Sequence, residues 1–439
     1  MDVETLGHAG LLIRDDAGAP VLFTDPWVIG SCYWRSWWLQ HYPGPDVLDE
    51  LKRTSFCFIT HEHPDHFHTA SIRVLGTGPR YLSPELPEEH IASYLSAQGY
   101  QASVVPAFRW KALRAGVRVL SIPLFNDDSA LLIDMPGAVL VNLNDSKPRP
   151  GQLRTLRAWL DRDAAGKRRI LLSSYSPASI VNSFLRGEER VSLRHKVDYV
   201  RSICAMCDLL GIDDFMPFAS QAVFRRTDSS WANAFKVTAD DLRAHWTAGA
   251  RLLPSYARLS PATGAYTFVP PDAYDDGGAA ITGKVADQQA LDAAAEFDDE
   301  AVDRLRRKLN ACRWMLAPLF PRGLGFALDR THLFYSPWSG SLTRGDGGGD
   351  VTLRMPAQAF KDAVAFGHVG DMGTTMFTVV HLGGNIDPRR VYLFFLVMSL
   401  HDYGHTANLR GWIAWLRHAV RVHRWRIPTP GHGAEQAAT

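Results

Sequence analysis

Thr60-His61-Glu62-His63-Pro64-Asp65-His66-Phe67-His68 is the stretch on which the reading of this chain turns. Written as HxHxDH, it sets three imidazoles and a carboxylate on one short turn after the apolar run Ser55-Phe56-Cys57-Phe58-Ile59. Neutral imidazole nitrogens and carboxylate oxygens are borderline-to-hard donors suited to zinc, iron or manganese. His61 and His63 alternate, so an extended backbone points both rings to one side. Asp65 and His66 follow where the chain must turn, which lets them reach a second metal from the other side. A merely solvated polar turn would not concentrate four donors directly after a strand, so the turn reads as a metal site.

The flanking sequence supplies the strands such a site needs. Leu6-Gly7-His8-Ala9-Gly10-Leu11-Leu12-Ile13 reads as one strand. Val21-Leu22-Phe23-Thr24-Asp25-Pro26-Trp27 reads as a buried one, ending in an acid and stopped by proline. Further on, Ala138-Val139-Leu140-Val141-Asn142-Leu143-Asn144-Asp145 is another apolar strand ending in an acid.

Strand with GHAG, acid at the next strand's end, and then THxHxDH together resemble the opening of the metallo-β-lactamase superfamily. The resemblance implies an α+β chain, an αββα sandwich with a C-terminal appended α/β unit. It also implies that His61, His63, Asp65 and His66 bind metal, that Asp25 buttresses the metal loops, and that Asp145 bridges two metals. Asp65 and Asp145 are the residues it places in the chemistry. The chain departs from the superfamily at two points. The intervening histidine is missing: before Ala130-Leu131-Leu132-Ile133 stands Phe125-Asn126-Asp127-Asp128-Ser129. There Asp127 or Asp128 replaces imidazole with carboxylate, Asn126 being a weaker donor, although Asn-Asp-Asp is also ordinary turn chemistry. The last histidine is missing too, since the strand Asp214-Phe215-Met216-Pro217-Phe218 runs into Ala219-Ser220.

Within the superfamily the chain looks most like the corresponding domain of CMP-N-acetylneuraminate hydroxylases and their bacterial relatives. The features carrying this are Asp25-Pro26-Trp27, Tyr33-Trp34-Arg35-Ser36-Trp37-Trp38, Asn144-Asp145, Ser174-Tyr175-Ser176, Pro217-Phe218-Ala219 and Met376-Phe377-Thr378, chiefly over residues 1–225. Those hydroxylases also carry a Rieske centre, whose paired Cys and His ligands have no counterpart here, because no Cys-x-His pair occurs.

Two enzymatic readings follow. In the first, two divalent metal ions, iron favoured over zinc or manganese, activate O₂ to hydroxylate a polar small metabolite, a monooxygenase fed by a separate electron donor. Carboxylates in place of imidazoles favour iron or manganese over zinc. In the alternative, the metals lower the pKa of a bound water that attacks an ester, lactone or phosphodiester. A scaffold with a decayed site is the third reading, and the intact HxHxDH with Asp145 argues against it.

Composition narrows the setting. A chain of 439 residues suggests more than one domain, and 46% apolar residues suffice for a full core. A net charge of +1 gives no reason to expect nucleic acid. The acidic start, Met1-Asp2-Val3-Glu4, is unlike a signal peptide. The longest apolar run, Val391 to Leu400, falls far short of the roughly 20 residues of a spanning helix, so no membrane partner is expected. Five cysteines, an odd number, suit a reducing cytoplasm. The Cys204/Cys207 pair sits at helical spacing among apolar residues and reads as core.

The expected division is a catalytic domain over 1–225, an insertion or linker over 226–346, and a C-terminal domain over 347–439 opening at Gly347-Gly348-Gly349-Asp350. Gln288 to Leu316 has the periodicity of one long helix. His401 and His405 lie four apart, as two ligands on a helix would, but read better as the polar end of a buried helix. Arg417, His418, Arg421, His423, Arg424 and Arg426 form a basic face, solvated or turned to a second copy in a homo-oligomer. The aromatic stretch Trp27, Tyr33, Trp34, Trp37, Trp38 and His41-Tyr42 is either a wall over the metals or core.

Overall fold

The computed structural model describes residues 1–124, 127–177, 179–269, 278–406 and 408–430. Apolar runs such as Ala130–Ile133 and Val139–Val141 are wholly buried, which is what strands covered on both faces require. They build two sheets. The first, of eight strands, runs from Tyr266–Phe268 and Ala257–Leu259 through Asp2–Gly7, Gly10–Arg14, Pro20–Thr24, Phe56–Phe58 and Arg80–Pro84 to Ala102–Val105. The second, of seven, runs from Arg251–Leu252 through Asp214–Phe218, Arg168–Ser174, Ala138–Asn144, Ser129–Met135 and Arg118–Pro123 to Trp110–Ala112.

Alternation of side chains sorts the two faces of each sheet. Val3, Leu11, Leu22 and Phe58 from the first sheet meet Val119, Leu131, Leu140 and Leu172 from the second in one core between the sheets. The outward face of the first sheet (Leu12, Phe23, Cys57) packs on Leu51, Ile72 and Leu95 of helices Pro45–Lys52, Thr69–Leu75 and His90–Ala97. The outward face of the second (Val139, Val141, Leu171) packs on Leu156, Trp159, Val200 and Ile203 of helices Pro150–Asp163 and Lys196–Leu210. The layers are therefore helix, sheet, sheet, helix, the αββα order expected. Cys204 and Cys207 are buried in the last of these helices, among its core residues.

A third sheet of seven strands draws Phe184–Arg186 and Glu189–Val191 from the first half of the chain and adds five strands between Leu324 and Leu382. Its own core includes Phe184, Leu305, Phe326 and Phe394. The sheets do not divide at residues 225 and 347. Strands at 251–268 complete the sandwich, and the loop at Gly347–Asp350 lies inside the third sheet, between Ser341–Arg344 and Val351–Arg354. Nor is 288–316 one helix. It comprises the end of Gly278–Ala294, then Asp299–Ala311 and the start of Arg313–Leu319. The first break has a local cause: Asp298 caps the second helix by accepting from Ala301 N (2.9 Å), and Phe297 turns inward to stack on Phe360. Among the described residues no helix is long and apolar enough to cross a membrane.

Three parallel strands of the first sheet and three of the second place the site. Pro20–Thr24, Phe56–Phe58 and Arg80–Pro84 share a direction, as do Ala138–Asn144, Arg168–Ser174 and Asp214–Phe218. The segments after their carboxyl ends emerge at one edge of the sandwich, with His8 after the first strand and Asp128 before Ser129–Met135. Leu140 sits in the middle of the core beneath this edge. Leu140→Ala is expected to cost about 2–5 kcal/mol of stability, as core leucine truncations do, read from the midpoint of urea unfolding at constant m.

Candidate metal centre

Asp25, at the end of its strand, organises the turn. Its Oδ1 accepts from Thr60 N at 2.7 Å, and its Oδ2 lies 2.9 Å from Thr60 Oγ1 and 2.9 Å from His66 Nδ1. All three residues are buried. With Nδ1 committed, His66 turns Nε2 toward Asp65 Oδ2 (3.5 Å) and Asp145 Oδ2 (3.4 Å), and this buried nitrogen has no hydrogen-bond partner among the described residues. His61 and His63 do face the same way, their Nε2 and Nδ1 atoms 2.9 Å apart. His68 does not join them. It caps helix Thr69–Leu75, its Nδ1 accepting from Ser71 N at 3.2 Å.

Of the two candidate carboxylates before Ala130, Asp128 faces the histidines. Its Oδ1 stands 3.4 Å from His61 Nδ1. Asp127 turns elsewhere and pairs its Oδ2 with His405 Nε2 at 2.6 Å. Asn126 lies outside the described residues. Asp145 projects from the end of its strand toward His66, about one-third exposed. The strand ending at Phe218 gives no imidazole, but Ala219 N donates to His8 O at 2.7 Å, and the ring of His8 sits with Nε2 2.8 Å from Asp65 Oδ2. Two sets of donor atoms fall within 4.8 Å of one another: His8, Asp65 and His66, and His61, His66 and Asp145.

The electrostatics agree with a cation site. Burial, helped by the charges of His66 and His63, holds His61 well below its ordinary value, in the neutral form that binds metal. Burial opposes ionisation of Asp65, yet His66 and His8 outweigh it and hold that carboxyl well below the usual range. Burial, with Asp145 beside it, pushes Asp128 up to about 7. Burial also works against charge on His66, but Asp25 and Asp65 prevail and raise it well above its ordinary value. So many carboxylates in one buried place stabilise positive charge at its centre. The donor set and the orphaned Nε2 of His66 both fit metal ions there.

Aromatic and C-terminal residues complete the surroundings. Tyr33 donates its hydroxyl to Asp65 Oδ1 at 2.8 Å, and Trp27 and Trp37 meet the His8 ring edge-on. Trp27, Tyr33, Trp37 and Trp38 are thus core, and the first three also pack against His8 and Asp65. Asp371 lies 3.9 Å from His63, and Tyr403 lies beside His90 and His405. His401, in the last turn of helix Arg389–Asp402, pairs with Thr406, while His405 lies beyond the helix and reaches Asp127. In the sequence His8 reads only as part of a strand, and His405, four residues from His401 as a second ligand would be, reads better as a polar helix end. The GHAG motif holds the signal for His8; nothing local marks His405.

The architecture and the motif at its edge identify the fold. This is a metallo-β-lactamase-type sandwich. No family model matches the chain. In sequence it is similar to cytidine monophosphate-N-acetylneuraminic acid hydroxylases: 26% identical over 222 residues to that of Xenopus laevis, covering 46% of this chain and 36% of that protein. The Asterias rubens protein is 26% identical over 209 residues, 45% of this chain and 32% of the relative. The match thus spans about a third of the length of these relatives. Among solved structures, a mutant CmlA β-hydroxylase aligns over 59% of this chain and 53% of its own, at 16% identity and a TM-score of 0.41. An isothiocyanate hydrolase from Delia radicum gut bacteria aligns over 59% of this chain and 98% of its own, at 12% identity and a TM-score of 0.40.

Asp25→Ala is expected to destabilise the fold by roughly 3–5 kcal/mol, because it leaves the buried His66 and Thr60 donors unpaired. Asp25→Asn keeps one acceptor and should cost less. Urea unfolding of both proteins checks the order, and a loss below about 1 kcal/mol for the alanine would contradict it.

Proposed function

We propose that this edge of the sandwich holds two metal ions, iron in preference to zinc, and that the protein is an oxygenase hydroxylating a polar small metabolite. The donors that would hold them fall in two sets, His8, Asp65 and His66, and His61, His66 and Asp145, with His63 and Asp128 beside His61 as further ligands. The observation that carries the reading is Asp128 beside His61, a carboxylate where the superfamily's pattern calls for imidazole. Harder oxygen donors shift a mixed site toward iron or manganese. Iron bound there supplies the one-electron chemistry that using O₂ requires, which zinc lacks. Similarity to hydroxylases over 222 residues supports the same reaction class.

The chain's own groups fit distinct tasks. Asp25 fixes the tautomer and ring plane of His66, and the Tyr33 hydroxyl orients Asp65, as outer partners of metal ligands do. The side chain of His63 is about one-third exposed, so substrate approaches on that side. Asp371, on the same side, is placed to accept a hydrogen bond from a hydroxyl of a polar substrate. Tyr403 and the aromatic wall keep bulk water from the ligands. Residues 1–268 then supply the metal ligands and the unit around the third sheet covers them, with electrons arriving from a separate protein.

His63→Ala should lose most of the bound metal by native mass spectrometry, while full retention would sink the ligand assignment.

Metal identity separates the reactions. Protein expressed without added metal should contain iron, bleach on chemical reduction and regain its absorbance in O₂. Zinc alone, with no response to O₂ and turnover of a chromogenic ester or phosphodiester, would make the protein a hydrolase instead.

A further inference from the structure

Leu409, Ile413, Leu416 and Val420 recur at spacings of four, three and four along the C-terminal helix Leu409–His423. At 100° per residue they form one narrow stripe. They are 74%, 39%, 52% and 77% exposed. The opposite side of the helix is occupied. His418 Nε2 donates to Leu124 O at 2.8 Å, Val422 O accepts from Gln152 Nε2 at 2.9 Å, and Val422 is buried. The stripe therefore points away from the body of the protein.

Its borders are not neutral. Arg410, Arg417 and Arg421 run along one side by the same helical count, Trp412 and His423 along the other. From Asn408 to Pro430 there are five arginines and no aspartate or glutamate. Arg421 pairs with Glu85, whereas Arg410 and Arg417 make no ion pair among the described residues. Apolar stripe, flanking tryptophan and arginine-rich border are the makings of a helix that lies in a membrane interface.

We propose that this helix docks the protein onto an anionic lipid surface, with Leu409, Ile413, Leu416 and Val420 at the acyl boundary and the arginines among the headgroups. A second copy of the chain fits less well, since a symmetric contact would bring two sets of arginines together. Nucleic acid would use the arginines but leave the stripe in water. Lack of a spanning segment concerns crossing a membrane and has no bearing on lying upon one.

Co-sedimentation of the full chain with vesicles tests this. The protein should bind vesicles of equal parts phosphatidylcholine and phosphatidylglycerol, and bind phosphatidylcholine alone far more weakly. The double variant Ile413→Asp/Leu416→Asp should abolish binding. Arg410→Gln/Arg417→Gln should weaken it roughly thirtyfold, at about a tenfold change per 1.4 kcal/mol and about 1 kcal/mol for each charge near the surface. These side chains are on the outside, so unchanged circular dichroism and metal content should accompany both variants. Absence of vesicle binding, or equal binding to both vesicle types, overturns the proposal. So does a wild-type dimer that Ile413→Asp/Leu416→Asp turns into a monomer, which would make the stripe a contact between copies.

Discussion

The carboxylate of Asp25 is the point on which the arrangement hangs. It joins the end of one strand to the turn after the next, through Thr60 N and the Thr60 hydroxyl, and spends its remaining acceptor on His66. A charged group this deep persists only when its lone pairs are satisfied, and here they are. The consequence reaches outward. With Nδ1 of His66 fixed, Nε2 has one direction left, toward Asp65 and Asp145. Asp65 is in turn held by His8 and Tyr33, so strand, turn and aromatic segment are linked in one polar network. Such a network is worth having only if fully satisfied; among the described residues Nδ1 of His8 and Nε2 of His66 lack partners, and Nε2 of His66 is where a metal would bond.

The backbone at this edge departs from ordinary strand geometry. His8, Asp25, Asp127, Asn144 and Ala219 hold φ at 38°, 44°, 58°, 39° and 46°, in a region that side chains other than glycine seldom enter. Each costs folding energy, of order 1–3 kcal/mol, and each stands beside a residue of the candidate centre. Regular strands beneath, wholly buried, over-determine these turns and so can hold them. Rigidity of the sandwich and irregularity of its edge are two sides of one design.

This division explains what was legible in the sequence. Strands with unbroken apolar runs announce themselves, and donors packed into one short turn do the same, so the strands, the turn at 60–68 and the acids ending two of the strands were legible in the residues, while the αββα order and the parts of Asp25 and Asp145 came through the family resemblance. Choosing between Asp127 and Asp128 could not, because adjacent residues differ only in which way a strained turn aims them, and φ of 58° at Asp127 sends that side chain toward His405. Phe184–Arg186 joining a sheet formed mostly beyond residue 324 has no local signature either, since strand pairing at such range depends on tertiary packing. The break after Ala294 was missed for a different reason. Helical periodicity continues across it, and only the Asp298 cap and the inward turn of Phe297 end the helix.

Contacts between the sandwich and the third-sheet unit give the latter a part in the site. Ser36 Oγ donates to Thr375 O at 2.6 Å, Trp37 Nε1 to Thr374 O at 3.1 Å and Trp34 Nε1 to Asp362 at 3.0 Å. Arg226, almost wholly buried, reaches Asp292 at 2.7 Å and also donates to Trp34 O. These bonds all converge on the aromatic segment, whose Tyr33 holds Asp65. Asp371 beside His63 and His405 on Asp127 then close the other side of the centre. Without this cover His63 and Asp128 would face more water, where charges are strongly screened. Covering them lowers the local dielectric and strengthens every electrostatic contact inside. The extra chain length beyond the sandwich thus shapes and covers the space over the histidines.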